Sequence, residues 1–213
     1  MKLLPRNSLV KTGPVDEADW VYQPVVGTIA RLRFRMILKL LGDQRYGRLL
    51  EIGYGSGILL PELSLHCDEL YGIDPHPMPA EVTQALGRNG VRALLRTSEA
   101  EKLPYTDNFF DAVVAVSSLE FVHDLPAVCR EVERILKPDG RFFFVTPGNS
   151  ALLDFGLRTL TGNDARKDFG TRRELVLPVT RQHFAFEKIL TAPPVLGNVL
   201  PLYSAVCCRP IAE

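Results

Sequence analysis

The stretch LLEIGYGSGILLPEL, residues 49–63, decides the fold. Three glycines, Gly53, Gly55 and Gly57, occupy alternate positions directly after a short apolar run that contains one acid, Glu51. Glycine lets a backbone turn sharply and approach a ligand closely, because no Cβ stands in the way. A helix start that follows such a turn offers free N–H groups to an anion. The stretch therefore predicts a strand, a tight loop and a helix, with either a ligand or close packing at the loop.

The spacing of the glycines disfavours one ligand class. The dinucleotide fingerprint G-x-G-x-x-G would require glycine at position 58, where this chain has Ile58. The observed pattern is E-x-G-x-G-x-G, which makes a pyrophosphate site of the nicotinamide type less favoured.

Strand-like apolar runs alternate with helix-like segments along the chain. We expect strands at 48–53, 69–74, 91–97, 109–118 and 141–147, and helices at 28–42, 58–67, 80–90 and 125–140. Pro61 indicates a late start or a kink in the second helix. This order predicts a parallel sheet covered by helices, whose ligand lies beyond the carboxyl ends of the strands.

Length and composition indicate an ordinary globular chain. It has 213 residues, 46% of them hydrophobic and 23% charged, with a net charge of zero, so nothing global indicates a nucleic acid or an anionic membrane as partner. The four cysteines form no C-x-x-C pair, and we expect reduced thiols and no metal site. No apolar run has the length needed to span a bilayer, and we expect a cytoplasmic protein.

The second predicted strand ends on an acid, Asp74, which lies about twenty residues after the first glycine of the loop. A carboxylate about twenty residues after such a loop can accept hydrogen bonds from both hydroxyls of a ribose. The alternative is a turn acid that caps the next helix. Pro75, which follows, begins a proline-rich segment that could form a rigid apolar shelf against a flat ring.

Four segments together resemble the class I S-adenosylmethionine-dependent methyltransferases of the small-molecule type: LLEIGYGSG, LYGIDPHP, SEAEKLPYTDNFFDAVVAVSSLEFVHD and REVERILKPDGRFFFVTP. The resemblance implies an α/β, three-layer Rossmann-like sandwich with a mostly parallel seven-stranded sheet and an antiparallel last strand. It implies S-adenosylmethionine as cofactor and S-adenosylhomocysteine as product. We expect one domain over 1–213, made of an N-terminal arm and helix (1–44), a cofactor-binding core (45–147), an acceptor-side insert (148–182) and the last two strands (183–213).

The same resemblance implies the cofactor-binding residues. Those expected around the methionine part are Glu51, Gly53, Tyr54, Gly55 and Gly57, and Glu51 would supply negative charge near the ammonium group. Those expected around the adenosine and the sulfonium are Asp74, Pro75, Glu99, Ala100 and Ser117. Tyr54 is larger than the residues common at its position in this loop.

Methyl transfer to a hydroxyl requires a general base, and the sequence offers several. The candidates are Glu120, His123, His183 and, more remotely, His76. Asp124, beside His123, also suits a helix N-cap. The alternative for His123 is therefore a structural place at the start of a helix rather than a catalytic role.

The acceptor pocket of this family usually forms from the N-terminal arm and the insert after the fifth strand. These are residues 1–30 and 148–182, where a helix-like apolar stretch is expected at 150–160. Aromatic residues suited to a lid are Trp20, Tyr22, Phe155 and Phe169. The apolar segment 194–202 would line the acceptor cleft or form a contact between subunits, so a homodimer is one alternative.

We expect an enzyme that acts on a small molecule. An RNA or protein methyltransferase and a non-catalytic regulator that binds S-adenosylmethionine stay open as alternatives, although no RNA-binding module is visible.

Overall fold

A computed structural model describes residues 1–13, 18–24, 26–148, 172–193 and 201–211. Its strands are β1 Tyr46–Ile52, β2 Cys67–Asp74, β3 Leu94–Thr97, β4 Phe110–Val116, β5 Leu136–Pro147, β6 Phe184–Ala192 and β7 Tyr203–Pro210. Its α-helices are α1 Val26–Leu41, α2 Leu60–Leu63, α3 Pro79–Arg88, α4 Leu125–Ile135 and α5 Arg172–His183.

The seven strands form one sheet in the order β3-β2-β1-β4-β5-β7-β6. Neighbours from β3 to β5 are parallel, whereas β7 runs antiparallel to both β5 and β6. The predicted fold class is therefore confirmed, including its antiparallel last strand. The chain moves outward from β1 to β3 and returns to β4, so strand order reverses between β1 and β4. This is where ligands bind in open α/β sheets.

Two apolar cores cover the two faces of the sheet. One joins α1, α2 and α3 to one face through residues such as Ile37, Leu60 and Val82. The other joins α4 and α5 to the opposite face through residues such as Val132 and Val176. Glu51 shares its side of β1 with Leu49, which belongs to the first core, because alternate side chains of a strand point the same way.

The sequence sets several element boundaries by local chemistry. The first helix stops where Gly42 takes φ +63°, a left-handed conformation that costs glycine little. The fourth helix begins after Asp124, whose Oδ1 accepts the Ala127 N–H at 3.0 Å, which confirms the predicted N-cap. The second helix is a single turn that begins at Leu60 with Pro61 in its first turn, so its predicted late start is confirmed.

Two boundaries differ from the sequence-based expectation. The fourth helix was expected to continue to residue 140, but it ends at Ile135 because Leu136 pairs with Phe110 and is buried as the start of β5. The segment before β6 was expected to belong to the acceptor-side insert, with a helix-like stretch only at 150–160, but Arg172–His183 form α5. Pro178 lies inside that helix, and such a proline disguises a helix in a sequence.

The N-terminal arm is attached to the end of the glycine loop. The Leu4 N–H donates to the Ile58 carbonyl at 3.0 Å, and the Tyr22 hydroxyl donates to the Leu4 carbonyl. Tyr22 therefore fastens the arm rather than lining a lid. The start of α1 lies so close to residues 18–22 that a Cβ on Gly27 would stand 2.4 Å from the Val21 carbonyl oxygen.

Several predictions fall outside the described residues. They concern Phe155, Phe169, the helix-like stretch at 150–160 and most of the apolar segment 194–202. Among the helices that the structure describes, none combines the length and apolarity required to cross a membrane.

Candidate functional site

One large cavity, of about 770 Å³, opens at the carboxyl ends of β1, β2, β4 and β5. The glycine loop and the loop after β2 form one side of it, and α1 with the arm forms another. Its position at the reversal of strand order agrees with the placement rule for α/β sheets. A volume of this size is ample for a small organic ligand.

Gly55 lines this cavity and leaves open space beside its backbone. It has φ +50°, and a Cβ built on it would meet no atom within 4 Å. Its N–H donates to Asp74 Oδ2 at 2.8 Å, and its carbonyl oxygen lies 3.0 Å from His76 Nε2. Since the Met78 N–H donates to His76 Nδ1, Nε2 must carry the ring proton of the neutral histidine and donate it to Gly55. The loop after β2 therefore fixes both backbone groups of Gly55.

The other two glycines of the loop serve packing. A Cβ on Gly53 would lie 2.5 Å from the Ser118 Cβ, so this glycine allows β1 and β4 to end side by side. A Cβ on Gly57 would lie 2.9 Å from Val82 Cγ1, so this glycine lets α3 pack closely. Gly53 lines the cavity and Gly57 does not. For Gly57, the structure thus supports packing rather than the predicted contact with a cofactor.

Tyr54 is accommodated in the cavity wall. Its ring lies against Gly72, where a Cβ would come within 2.8 Å of it, and meets the His76 ring edge-on with centroids 4.9 Å apart. The side chain is buried, and burial, with Asp74 adding to it, raises the pKa of Tyr54. Strand β2 makes room for the large residue by having glycine at its level.

Glu51 is a buried carboxylate at the bottom of the cavity. It is 3% exposed, and Oε2 has no hydrogen-bond partner among the described residues. Burial, assisted by the charge of Asp74 and opposed by that of Arg33, raises the pKa of Glu51 to about 8. A carboxylate with so few partners in this position is suited to a cationic ligand group.

A second buried carboxylate, Glu120, lies beyond the end of β4. It is fully buried, lines the cavity, and neither of its oxygens finds a hydrogen-bond partner in the described parts of the chain. Burial raises its pKa to about 7, although its own backbone N–H and the charges of Arg33 and Arg173 oppose this rise. Just before it, Ser117 takes φ +52°, an uncommon conformation for a residue with a side chain. A bound ligand would explain both the unpartnered carboxylate of Glu120 and the uncommon backbone conformation of Ser117.

The structure brings most of the remaining predicted residues to the cavity. Pro75, Glu99, Ala100 and His123 line it, His123 at an exposed position on the rim. His183 does not line it. Its Nδ1 lies 3.0 Å from Glu133 Oε2 of α4, so the structure does not support the predicted catalytic role of His183.

The polar cavity residues that escaped the sequence analysis include Arg33 of α1, Arg173 of α5 and Tyr203 of β7. Arg33 follows Val26, Ile29 and Ala30 on one helical face, and all of these line the cavity. That spacing was readable in the sequence, but a single arginine next to an apolar face looks like ordinary solvated charge.

In the residues that the structure covers, no group of three or more histidine, cysteine, aspartate or glutamate side chains is arranged to hold a metal ion.

Comparison with known proteins relates the central region of the chain to methyltransferases. Residues 50–144 match a family described as a methyltransferase domain. The chain is 32% identical over 147 residues to a ubiquinone/menaquinone biosynthesis C-methyltransferase of Azotobacter vinelandii, which covers 63% of this chain and 56% of that protein. It is 29% identical over 152 residues to a malonyl-[acyl-carrier protein] O-methyltransferase of Geobacter sulfurreducens, with 64% and 55% covered.

A solved structure shares the fold over nearly the whole chain. The N-methyltransferase NodS of Bradyrhizobium japonicum, solved with S-adenosylhomocysteine, superposes with a TM-score of 0.63 over 95% of each chain at 17% identity. The chain spans only a little more than half the length of the two curated relatives. These relatives methylate carbon, oxygen and nitrogen according to their names, so the comparisons leave the acceptor atom open.

Proposed function

We propose that this chain is a class I S-adenosylmethionine-dependent methyltransferase, built on the methyltransferase domain that residues 50–144 match, and that it transfers a methyl group from that cofactor to a small-molecule acceptor. The match over residues 50–144 supports the predicted class of domain, and the fold shared with a methyltransferase solved with S-adenosylhomocysteine supports this cofactor. The observation that carries the proposal is the pairing of an open glycine loop with two buried carboxylates, Glu51 and Glu120, in one cavity.

The described residues fit S-adenosylmethionine on chemical grounds. The unpartnered Oε2 of Glu51 suits the ammonium group of an amino acid. Gly55 leaves open space beside the backbone where a side chain would otherwise project. Asp74 uses its oxygens for the N–H groups of Gly55 and His76 and still has lone pairs for ribose hydroxyls. Glu99 and Ala100 line the cavity beyond Asp74, where the adenine would lie.

When bound, the cofactor supplies a methyl group on a positively charged sulfur. The residues of this chain contribute the positioning of the two reactants, which is a main requirement of an in-line displacement. The clamp of Asp74 and His76 on Gly55 holds the loop ready before any ligand arrives. Ser118 Oγ donates to the Ile52 carbonyl at 2.8 Å and so joins the ends of β1 and β4, where the two halves of the site meet.

Glu120 is the base that we propose for the acceptor. Its carboxylate is fully buried and lacks hydrogen-bond partners in the described structure, so an O–H or N–H of the acceptor would satisfy it. With a pKa raised to about 7, a substantial fraction of Glu120 is deprotonated at neutral pH and able to accept a proton. His123 lies at the exposed rim, which suits contact with the acceptor less than Glu120 does.

A small acceptor agrees with the shape and lining of the cavity. Much of the acceptor side is apolar, formed by residues such as Trp20, Ile29 and Pro147, with a few polar groups between them. This combination is typical of sites for small organic molecules.

The test is methyl transfer from labelled S-adenosylmethionine by the full chain to a panel of small alcohols, phenols, amines and carboxylic acids. Formation of S-adenosylhomocysteine that depends on one small acceptor, and that Glu120→Gln reduces, supports the proposal. The matched control Glu81→Gln changes an exposed acid of α3 away from the cavity. Label that appears only in added RNA or protein contradicts a small-molecule acceptor, and absence of turnover across the panel contradicts the proposed activity.

A further inference from the structure

Two polar side chains lie near each other on the acceptor side of the cavity. Glu120 belongs to the single turn that follows β4, Tyr203 is the first residue of β7, and both line the cavity. Burial raises the pKa of Tyr203, the charge of Arg33 opposes this rise, and the charge of Glu120 adds to it. The two side chains therefore interact through space, yet neither oxygen of Glu120 forms a hydrogen bond with Tyr203. A ligand group that bonds to both would satisfy both.

Backbone hydrogen bonds hold Tyr203 in place. It pairs with Pro147 of β5 on one side and with Ala192 of β6 on the other. Directly before it, the Leu202 N–H donates to the Ala192 carbonyl at 2.7 Å, and the Leu202 carbonyl accepts the Gly148 N–H at 2.9 Å. A side chain on a strand that is paired on both sides is placed more precisely than one on a loop. Tyr203 is thus suited to orient an acceptor.

Tyr203 supplies a hydrogen-bond donor. Because its pKa is raised, the phenol keeps its proton at neutral pH. Within the part of the chain that the structure describes, its hydroxyl makes no hydrogen bond. The hydroxyls of Tyr22 and Tyr71, by contrast, donate to the Leu4 carbonyl and to Glu69. The Tyr203 hydroxyl is therefore available to a molecule in the cavity.

The count of lone pairs decides which acceptor atom fits such a donor beside a carboxylate. A hydroxyl oxygen can donate its hydrogen to Glu120, accept a hydrogen bond from Tyr203 in one lone pair, and keep its second lone pair for the methyl group. A neutral amine nitrogen has a single lone pair, which the attack itself requires, so it cannot accept from Tyr203 at the same time. A carboxylate has no proton for Glu120 and would add a like charge beside it.

We propose that Tyr203 and Glu120 together select a hydroxyl oxygen, of an alcohol or a phenol, as the methyl acceptor. This inference rests on the proposed function and narrows its acceptor to one class of atom. Glu120 takes the proton of the hydroxyl as the oxygen forms its bond to the methyl carbon, and the electrons of the methyl–sulfur bond go to sulfur. Tyr203 keeps its own proton throughout and determines specificity by orienting the oxygen.

The test uses acceptors that share a skeleton and differ in the reacting atom. The pairs are phenol and aniline, benzyl alcohol and benzylamine, and octanol and octylamine, each assayed with labelled S-adenosylmethionine. Tyr203→Phe is compared with wild type and with Tyr46→Phe, a matched control that loses a tyrosine hydroxyl at the amino end of β1, away from the cavity. Calorimetric titration with S-adenosylhomocysteine shows that each variant is folded and keeps its cofactor site.

We expect wild type to methylate the hydroxyl member of at least one pair at oxygen, with kcat/KM at least about tenfold above that of the amine. Tyr203→Phe should lower kcat/KM for the hydroxyl about ten- to a hundredfold and change that for the amine less than about twofold. A merely structural residue would lower both alike, so the ratio of the two separates the roles. Tyr46→Phe should keep the wild-type ratio, and both variants should keep the wild-type affinity for S-adenosylhomocysteine.

Faster transfer to the amines, label on carbon, or a Tyr203→Phe variant with the wild-type ratio would overturn the inference and leave the proposed function standing. The selectivity of the wild-type chain is decisive even where a variant does not fold. Failure of the proposed function looks different, because the wild-type chain would then transfer label to no member of the panel.

Discussion

Replacing Glu51 by glutamine should stabilise the ligand-free protein and weaken its binding of S-adenosylhomocysteine. The folded state holds this carboxyl with a pKa of about 8, against 4.5 for an ordinary glutamate. The folded chain therefore binds the proton more tightly than the unfolded chain does. The contribution of Glu51 to stability is fully present below pH 4.5 and is lost as pH rises through about 8.

The magnitude follows from the size of the shift. Each pH unit within this window lowers the free energy of unfolding by about 1.4 kcal/mol, so the charge of Glu51 costs at most about 3 kcal/mol at pH 7. Glutamine keeps the size of the side chain but never ionises. A buried amide has its own cost, which does not depend on pH. Between pH 5 and pH 8, the stability difference should therefore shift by about 3–4 kcal/mol in favour of the variant.

The assay is urea unfolding of wild type and Glu51→Gln at several pH values, without ligand and with S-adenosylhomocysteine. With ligand present, wild type should gain stability, whereas the variant should gain little because it lacks the charge that pairs with the ammonium group. Glu81→Gln, at an exposed position, is the matched control and should show no such pH-dependent difference. A difference that stays constant from pH 5 to pH 8 would refute the assignment of a buried, uncompensated carboxylate.

The other predictions concern the base, the glycine loop and a helix cap. Glu120→Gln should lower kcat by about 10²–10⁴-fold while leaving the Kd of S-adenosylhomocysteine unchanged, and wild-type kcat/KM should rise with pH through about 7 as Glu120 loses its proton. In urea unfolding, Gly57→Ala should destabilise the protein by about 1–3 kcal/mol, since its Cβ would collide with α3. Gly55→Ala should lower the free energy of unfolding by less, about 1 kcal/mol. Its methyl group would project into the cavity, so we expect a weaker affinity for S-adenosylhomocysteine in calorimetry. Asp124→Ala should lower the free energy of unfolding by about 0.5–2 kcal/mol through loss of the N-cap.

Gly87→Ala, in a helical position with free space around it, should not destabilise and serves as the control for the loop glycines. Equal effects of Gly55→Ala and Gly57→Ala on both stability and affinity would contradict their separate roles. A Glu120→Gln enzyme with wild-type turnover and pH profile would remove Glu120 as the base.

Much of the fold was readable from the sequence because local signals and periodicity agree. The alternation of elements, the end of the first helix near residue 42 and the cap at Asp124 were all predicted and are confirmed. The end of α4 was not predictable, because Leu136 leaves the helix to pair with Phe110, a residue 26 positions earlier. Helix α5 was missed because Pro178 normally breaks a helix.

The site was predictable where it depends on the glycine loop and less so elsewhere. The sequence brought Glu51 and Asp74 to attention by their places at strand ends, and both line the cavity. The sequence could not distinguish Gly55 from Gly57, because side chains of α3 crowd the position of a Cβ on Gly57 and none lies near a Cβ on Gly55. It also could not assign Arg33, because only the docking of α1 on the sheet brings that side chain to Glu51.

The most direct test of the central claim is calorimetric titration of the full chain with S-adenosylhomocysteine, alongside NAD. We predict saturable binding of one S-adenosylhomocysteine per chain and no heat of binding with NAD, because the loop has Ile58 where a pyrophosphate site requires glycine. Binding of NAD without S-adenosylhomocysteine would contradict the account.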